Sequence, residues 1–243
     1  MLSDEKKLEI LEAAKEWFRR YIADSHISNT LKLTNPKEFN INPFLSVYLA
    51  NFIEGNSSPK SIAKALLLPR VLGTSITTSF GTQIQSFTKI LSDTFGSTTQ
   101  GIDIEFTDQL DGHKKYCQLK SGPNTINKDD VETIANHFTS TINLARTNGV
   151  RIALDDLIVG VVYGTPEELS SHYRRITSQY HFPVYVGREL WHRITGDLNF
   201  YDDLIAAIAS VAVESNFKSE FESVVEELAK SDVIQELANK FKS

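Results

Sequence analysis

The sequence is almost free of cysteine. Cys117 is the only one among 243 residues, so no internal disulfide can form and a Cys-based zinc site is excluded. The six histidines include no His-x-x-x-His or His-Glu-x-x-His pair, which leaves a zinc hydrolase without support. We expect Cys117 to be a small buried apolar residue rather than a nucleophile.

Other absences narrow the function further. The sequence has no Gly-x-Gly-x-x-Gly, Walker loop or Gly-x-Ser-x-Gly elbow, which argues against a nucleotide cofactor and against serine-hydrolase chemistry. No stretch approaches the ~20 consecutive apolar residues of a membrane span, and no targeting signal is legible. We therefore expect a cytoplasmic protein without a membrane partner.

Positive charge is also scarce. Lys and Arg number 25 against 31 Asp and Glu, which gives a net charge of -6. A protein with this balance has no diffusely basic surface for nucleic acid. Any polyanion must therefore bind in a local basic cleft.

Hydrophobic periodicity predicts helices in the first part of the chain. Apolar residues recur at spacings of three and four, with prolines in first turns and Gly96 as a stop signal. The predicted helices cover residues 5–22, 44–53, 59–68 and 80–95, and Pro69 is expected to end the third. Residues 1–69 are therefore interpreted as a helical N-terminal subregion.

The period changes to two after residue 100. Residues 101–107 and 115–120 alternate as strands do, and Asp111-Gly112 favours a hairpin between them. Apolar runs predict further strands at 157–163 and 183–186, and helices are expected at 127–146, 189–194, 202–213 and 218–240. This pattern predicts one α/β domain over residues 1–243, with a mixed sheet between helices, a catalytic core at 70–195 and a helical C-terminal region at 196–243.

Four polar side chains fall on one face of the predicted hairpin. Asp103 and Glu105 share a face of the first strand, and Gln118 and Lys120 share the matching face of the second. Oxygens of Asp103, of Gln118 and of the Leu119 backbone carbonyl suit Mg²⁺. The Lys120 ammonium can hold an attacking water and compensate charge on phosphate oxygens. This set favours metal-assisted phosphodiester hydrolysis, although alternating charges are also typical of a solvated strand face.

At these residues the sequence resembles the PD-(D/E)XK nuclease superfamily, in particular type II restriction endonucleases that cut interrupted GG-N-CC-type sites. Gly101-Ile102-Asp103 is similar to the acidic strand motif, and Gln118-Leu119-Lys120 to the second half-motif. Four further blocks resemble corresponding blocks of such enzymes and occur in the same order, at residues 41–44, 68–73, 158–164 and 185–191. The motif proline is absent, and Gln118 stands where glutamate is usual.

The glutamine keeps a metal-facing oxygen but loses its charge, which should weaken metal binding. Glu105, on the same predicted face, is a candidate to supply the missing charge as a further metal ligand. The alternative is that Glu105 is a plain surface carboxylate.

The resemblance implies double-stranded DNA cleavage by phosphodiester hydrolysis in a bacterial restriction-modification system. The cofactor would be Mg²⁺, with Mn²⁺ as a substitute. In this interpretation Asp103, Gln118 and Lys120 are catalytic, while Asp103, Gln118 and the Leu119 carbonyl hold the metal. Because such recognition sites are roughly palindromic, the working unit is expected to be a homodimer, with the N-terminal helices as its candidate interface.

Polar residues beside the hairpin are candidates for DNA contacts. Asparagine can read adenine and lysine can neutralise phosphate, whereas a loop with a helix cap is the alternative interpretation. The candidates are Asn124, Thr125, Asn127, Lys128, Arg70 and Lys115.

The residues by themselves leave two other functions open. One is a structure-specific DNA repair nuclease of the same fold. The other is a catalytically inert DNA-binding or protein-binding module, in which Gln118 marks lost catalysis.

Overall fold

The structure is a computed structural model that describes residues 2–241, apart from the side chains of residues 74–75, 84–85, 88–89 and 91–94. The helices within this range are α1 (Asp4–Phe18), α2 (Asp24–Leu31), α3 (Pro43–Glu54), α4 (Pro59–Val71), α5 (Thr74–Phe95), α6 (Lys128–Thr147), α7 (Ser171–Tyr180), α8 (Arg188–Thr195), α9 (Phe200–Glu214), α10 (Phe217–Ala229) and α11 (Asp232–Lys240). The strands are β1 (Ile104–Thr107), β2 (Lys114–Lys120), β3 (Leu157–Val161) and β4 (Val184–Val186). None of the helices described has the length and apolar character needed to cross a membrane.

The four strands form one mixed sheet in the order β1-β2-β3-β4. β1 pairs antiparallel with β2, with Ile104 opposite Cys117, and β2 pairs parallel with β3, with Gln118 opposite Val159. β4 adds a second parallel pair to β3. The predicted α/β class, a mixed sheet flanked by helices with helical terminal regions, is confirmed.

The chain forms two compact units, each built from two segments. The first comprises residues 1–15 and 84–208 and contains the whole sheet. Every residue of β3 is buried, as its apolar run predicts, and one face of the strand packs on α6 and α7. The second unit comprises residues 16–83 and 209–243, and its core joins α4 to α10 and α11.

The sequence predictions of several helix boundaries are wrong. The first helix does not stop at residue 22, because a π-helical turn at Arg19–Ala23 carries it into α2. Pro69 does not end α4, which continues to Val71. A proline inside a helix costs about 3 kcal/mol, and burial of Ile62 and Leu67 from the same helix offsets this.

Two further elements differ from the predictions. The single helix expected at residues 218–240 is divided into α10 and α11, with Ser231 at the N-cap of α11. Helix α7 was not predicted. Only two of its residues, Tyr173 and Ile176, are buried, so its apolar stripe is too short to give a strong periodic signal.

Lys115 on β2 is a buried cation in the first unit. Its side chain is 1% exposed, and its ammonium lies 2.9 Å from Asp111 and 3.1 Å from Asp156. Burial would lower the pKa of Lys115, but the hydrogen bonds to these carboxylates raise it. A buried and fully paired ammonium is not available to a phosphate, so this placement removes Lys115 from the candidate DNA contacts.

We expect Lys115→Ala to lower the free energy of unfolding by about 3–5 kcal/mol, because it leaves two carboxylates without their buried partner. The matched control is Lys114→Ala on the same strand. This lysine is exposed, and its partner Glu105 keeps hydrogen bonds from Ser97 and Thr99, so the loss should be about 1 kcal/mol or less. Urea unfolding of both variants checks this. Equal losses would show that the buried ion pairs do not stabilise the fold.

Candidate active site

The carboxylate of Asp103 is fixed against the backbone of β2. Asp103 directly precedes β1, and its Oδ2 accepts a hydrogen bond of 2.7 Å from the Leu119 N–H. Its own N–H donates to the Cys117 carbonyl at 3.0 Å. In the pairing of β1 with β2, Ile104 lies opposite Cys117. Because Asp103 also bonds to Cys117, the ladder is irregular just before β1, and the Asp103 side chain reaches the backbone of β2.

The Leu119 carbonyl is directed to the same edge of β2 as the Asp103 carboxylate. The Lys120 carbonyl accepts a hydrogen bond from Val162 on the β3 side, at 2.9 Å. Neighbouring residues of a strand direct their backbone groups to opposite edges, and the N–H and C=O of one residue share an edge. The Leu119 N–H faces Asp103, so its carbonyl does too.

The Asp103 carboxyl group carries an electrostatic cost. Although the residue is exposed to solvent, its carboxyl group lies against β2, and this partial desolvation raises its pKa above the ordinary value. The hydrogen bond from Leu119 and the attraction of Lys120 oppose the rise without cancelling it. A divalent cation beside this carboxylate would relieve the cost.

Gln118 is buried, with 6% of its surface exposed. Its amide nitrogen donates to the Gly101 carbonyl and lies 2.6 Å from Nδ1 of His137 on α6. Its amide oxygen has no hydrogen-bond partner among the described residues. The oxygen is therefore the atom of Gln118 that can serve as a ligand.

Lys120 follows on the same face of β2. Its side chain is half-buried and attracts the Asp103 carboxylate. Within residues 2–241 no described carboxylate forms an ion pair with its ammonium. The ammonium is therefore available to a water molecule or a phosphate.

Glu105 is held by a separate set of donors. Its Oε1 accepts hydrogen bonds from Ser97 at 2.6 Å and Thr99 at 2.9 Å, and its Oε2 lies 2.6 Å from the Lys114 ammonium. Burial would raise the pKa of Glu105, but these three donors lower it. Because both oxygens already have protein partners, the geometry favours Gln118 over Glu105 as the second side-chain ligand.

The loop after β2 divides the candidate DNA contacts into two kinds. Asn127 caps α6, since its Oδ1 accepts the Asp129 and Asp130 N–H groups, and the Thr125 hydroxyl donates to the Gly122 carbonyl at 2.8 Å. These two side chains therefore stabilise the loop and the helix start. The side chains of Asn124, Lys128 and Arg70 are exposed, the last at the end of α4 in the second unit.

The sequence analysis missed His137. Gly101 has a φ of 79°, and a Cβ there would lie 2.6 Å from the imidazole, so the ring packs directly over this glycine. A signal was present, because His137 follows the buried Ile134 by three residues and so flanks the predicted stripe of α6. A search for paired zinc-binding histidines does not detect a single histidine in this position.

The site contains few of the residue types that usually cluster around metals. Among the described residues, no group of three or more His, Cys, Asp and Glu side chains could hold an ion. The candidate set instead combines one carboxylate with an amide oxygen and a backbone carbonyl. A neutral ligand of this kind suits Mg²⁺, which retains several waters.

A family model described as type II restriction endonuclease EcoO109I matches residues 22–216. The chain belongs to this family. The match covers most of the chain and includes Asp103, Gln118 and Lys120. No curated protein matches the sequence. Membership of the EcoO109I family makes this chain a nuclease of the type II restriction class, with DNA as its substrate.

We expect Asp103→Asn to leave the melting temperature unchanged or raise it at neutral pH. Folding raises the pKa of Asp103, so the folded protein bears a cost for the charged carboxylate that an amide avoids. Asparagine can still accept the Leu119 N–H through its Oδ1. The difference from the wild type should shrink as the pH falls through the raised pKa to the ordinary one, where the native carboxyl is also neutral.

Thermal unfolding at neutral and acidic pH measures this difference. A lower melting temperature of Asp103→Asn at neutral pH, with a gap that closes in acid, would mean that the charge stabilises the fold and would contradict the assigned pKa direction.

Proposed function

We propose that this chain is a Mg²⁺-dependent restriction endonuclease that cleaves both strands of a short, roughly palindromic DNA site within a restriction-modification system. One observation supports this most directly. The Asp103 carboxylate and the Leu119 carbonyl share an edge of β2, beside the Gln118 amide and the Lys120 ammonium. The resemblance to PD-(D/E)XK enzymes suggests an interrupted GG-N-CC core as the target.

The donor set fits Mg²⁺ in number and type. Asp103, Gln118 and the Leu119 carbonyl offer three hard oxygens, which leaves positions for water and for a phosphate oxygen. When bound, the ion would polarise the phosphate and lower the pKa of a bound water. Since only Asp103 contributes a negative charge, we infer that the site binds the ion more weakly than one with a second carboxylate.

Each side chain then has a distinct task. Asp103 provides the charge, held in place by the Leu119 N–H. Lys120 orients the attacking water and compensates the charge that grows on the phosphate oxygens. Its ammonium suits this task because it forms no ion pair with a described carboxylate. The exposed Asn124 and Lys128, in the loop that follows β2, are our candidates for base and phosphate contacts, together with Arg70.

We expect Lys120→Ala to retain specific DNA binding and to lose cleavage by about 100-fold or more, because charge compensation in the transition state is removed. The control is Lys114→Ala, which removes a lysine from the same strand outside the proposed site. Plasmid digestion with Mg²⁺ or Mn²⁺ measures cleavage, and a mobility shift in Ca²⁺ measures binding.

The wild type should give discrete plasmid bands. Sequencing the ends of the fragments would identify the recognition site, the cut position and the symmetry together. A preference for branched DNA would favour a repair nuclease. Binding without cleavage in either metal would overturn the proposal and leave an inert binding module.

Helix α3 supports the proposed homodimer. Phe44, Tyr48 and Phe52 recur every four residues along one side of the helix and are 88%, 62% and 74% exposed. The rings of Tyr48 and Phe52 stack with centroids 6.1 Å apart. Such a row of exposed aromatic residues is typical of an interaction surface.

The size and charge of this surface suit a second copy of the chain. At roughly 200 Å² for each aromatic residue, the three exposed fractions correspond to about 450 Å² of apolar surface. Leu45 and Ile53, also exposed, bring the total toward the ~800 Å² that each partner buries in a standard interface. Residues 43–53 carry no charge, so two copies related by a twofold axis meet without repulsion.

We expect the double variant Phe44→Glu and Phe52→Glu to convert a wild-type dimer into a monomer, because four buried carboxylates would face each other across the twofold axis. Val213→Glu is the matched control, since this valine is 81% exposed on α9 in the same unit. Light scattering coupled to gel filtration gives the masses. A dimeric double variant would exclude α3 as the interface.

A further inference from the structure

The orientation of the Gln118 amide is determined by its surroundings. A backbone carbonyl can only accept hydrogen bonds, so the amide atom next to the Gly101 carbonyl must be the nitrogen. The same nitrogen lies 2.6 Å from Nδ1 of His137, which therefore also accepts. With both amide hydrogens directed to protein acceptors, the oxygen points away from them.

We propose that His137 is a positioning residue for the metal site, which holds the Gln118 amide so that its oxygen is presented to the cation. This inference rests on the proposed function. His137 contacts neither the metal nor the DNA in this role. It acts through Gln118, as outer residues commonly orient the ligands of a metal.

The two acceptors explain why this site suits glutamine. A glutamate at position 118 would place a carboxylate oxygen against the Gly101 carbonyl and against the Nδ1 lone pair. The contact with the Gly101 carbonyl would be repulsive, and the contact with His137 would require the ring to carry its hydrogen on Nδ1, whereas the amide donates to both acceptors. The two acceptors thus match an amide at position 118. Compared with the glutamate usual in the superfamily, Gln118 lacks a negative charge, but its surroundings fix the orientation of its oxygen.

The imidazole is itself held in place. It packs over Gly101, whose positive φ and missing Cβ leave the space for the ring. The backbone carbonyl of His137 accepts a hydrogen bond from Thr141 within α6, and the neighbouring Phe138 is completely buried. A ring in this setting can fix the amide more firmly than water would. Because Nδ1 accepts, the neutral ring must carry its hydrogen on Nε2.

The first test needs neither metal nor DNA. Nitrogen NMR of the full chain with labelled histidine should show one ring in the Nε2–H form with a hydrogen-bonded Nδ1, and this signal should vanish in His137→Asn. Gln118→Leu should shift the Nδ1 resonance of the same ring, because it removes the donor. An Nδ1–H form of His137 at neutral pH would overturn the inference.

The second test measures the affinity for Mn²⁺ alone by electron paramagnetic resonance. His137→Leu removes the acceptor at similar size and should weaken binding by about 10- to 100-fold. His137→Asn places an acceptor oxygen near the position of Nδ1, so it should rescue affinity to within a few-fold of the wild type. Circular dichroism and melting temperature verify that each variant is folded.

Asp103→Asn separates failure of the inference from failure of the proposed function. If Asp103→Asn loses Mn²⁺ while His137→Leu binds it as the wild type does, the positioning role is wrong and the metal site stands. If Asp103→Asn binds Mn²⁺ normally, the proposed metal site fails and the inference fails with it. Equal weakening in His137→Leu and His137→Asn would mean that the imidazole contributes only packing.

Discussion

The antiparallel pairing of β1 with β2 is the constraint on which the candidate site depends. With Ile104 opposite Cys117, the chain just before β1 lies along β2, and the Leu119 N–H can bind the Asp103 carboxylate. A shift of one residue in this pairing would displace Asp103 along β2 and leave that N–H without this partner. The hydrogen bond from the Leu119 N–H thus holds the Asp103 carboxylate at the edge of β2 to which the Leu119 carbonyl is also directed.

The alternation of β2 separates two lysines that differ in environment rather than in chemistry. Lys115 lies on one face, buried between Asp111 and Asp156, where it stabilises the fold. Lys120 lies on the opposite face, with no ion pair to a described carboxylate, where an ammonium can act on a substrate. A cation is useful for catalysis only where the protein has not already neutralised it.

The proposed ligand set carries a single negative charge. Glu105 is bound by Ser97, Thr99 and Lys114, so Asp103 is left as the one carboxylate of the candidate ligand set. Its raised pKa reflects the cost of holding that charge against β2. In the proposed site, a neutral ligand such as Gln118 binds a cation well only if its oxygen is precisely oriented. This is the task that we propose for His137.

The sequence alone determined the α/β class, the hairpin and the shared face of Gln118 and Lys120 on β2, because strand periodicity is a local property. The common face that it predicts for Asp103 stays a prediction. The tertiary structure decided which of these groups are already paired. The ion pair of Lys115 with Asp156 and the contact between Gln118 and His137 join residues distant in sequence. The partners of Glu105 are nearer in sequence, but strand periodicity does not encode which side chains meet. Helix α7 and the passage of α4 through Pro69 were likewise decided by packing, which outweighs weak local preferences.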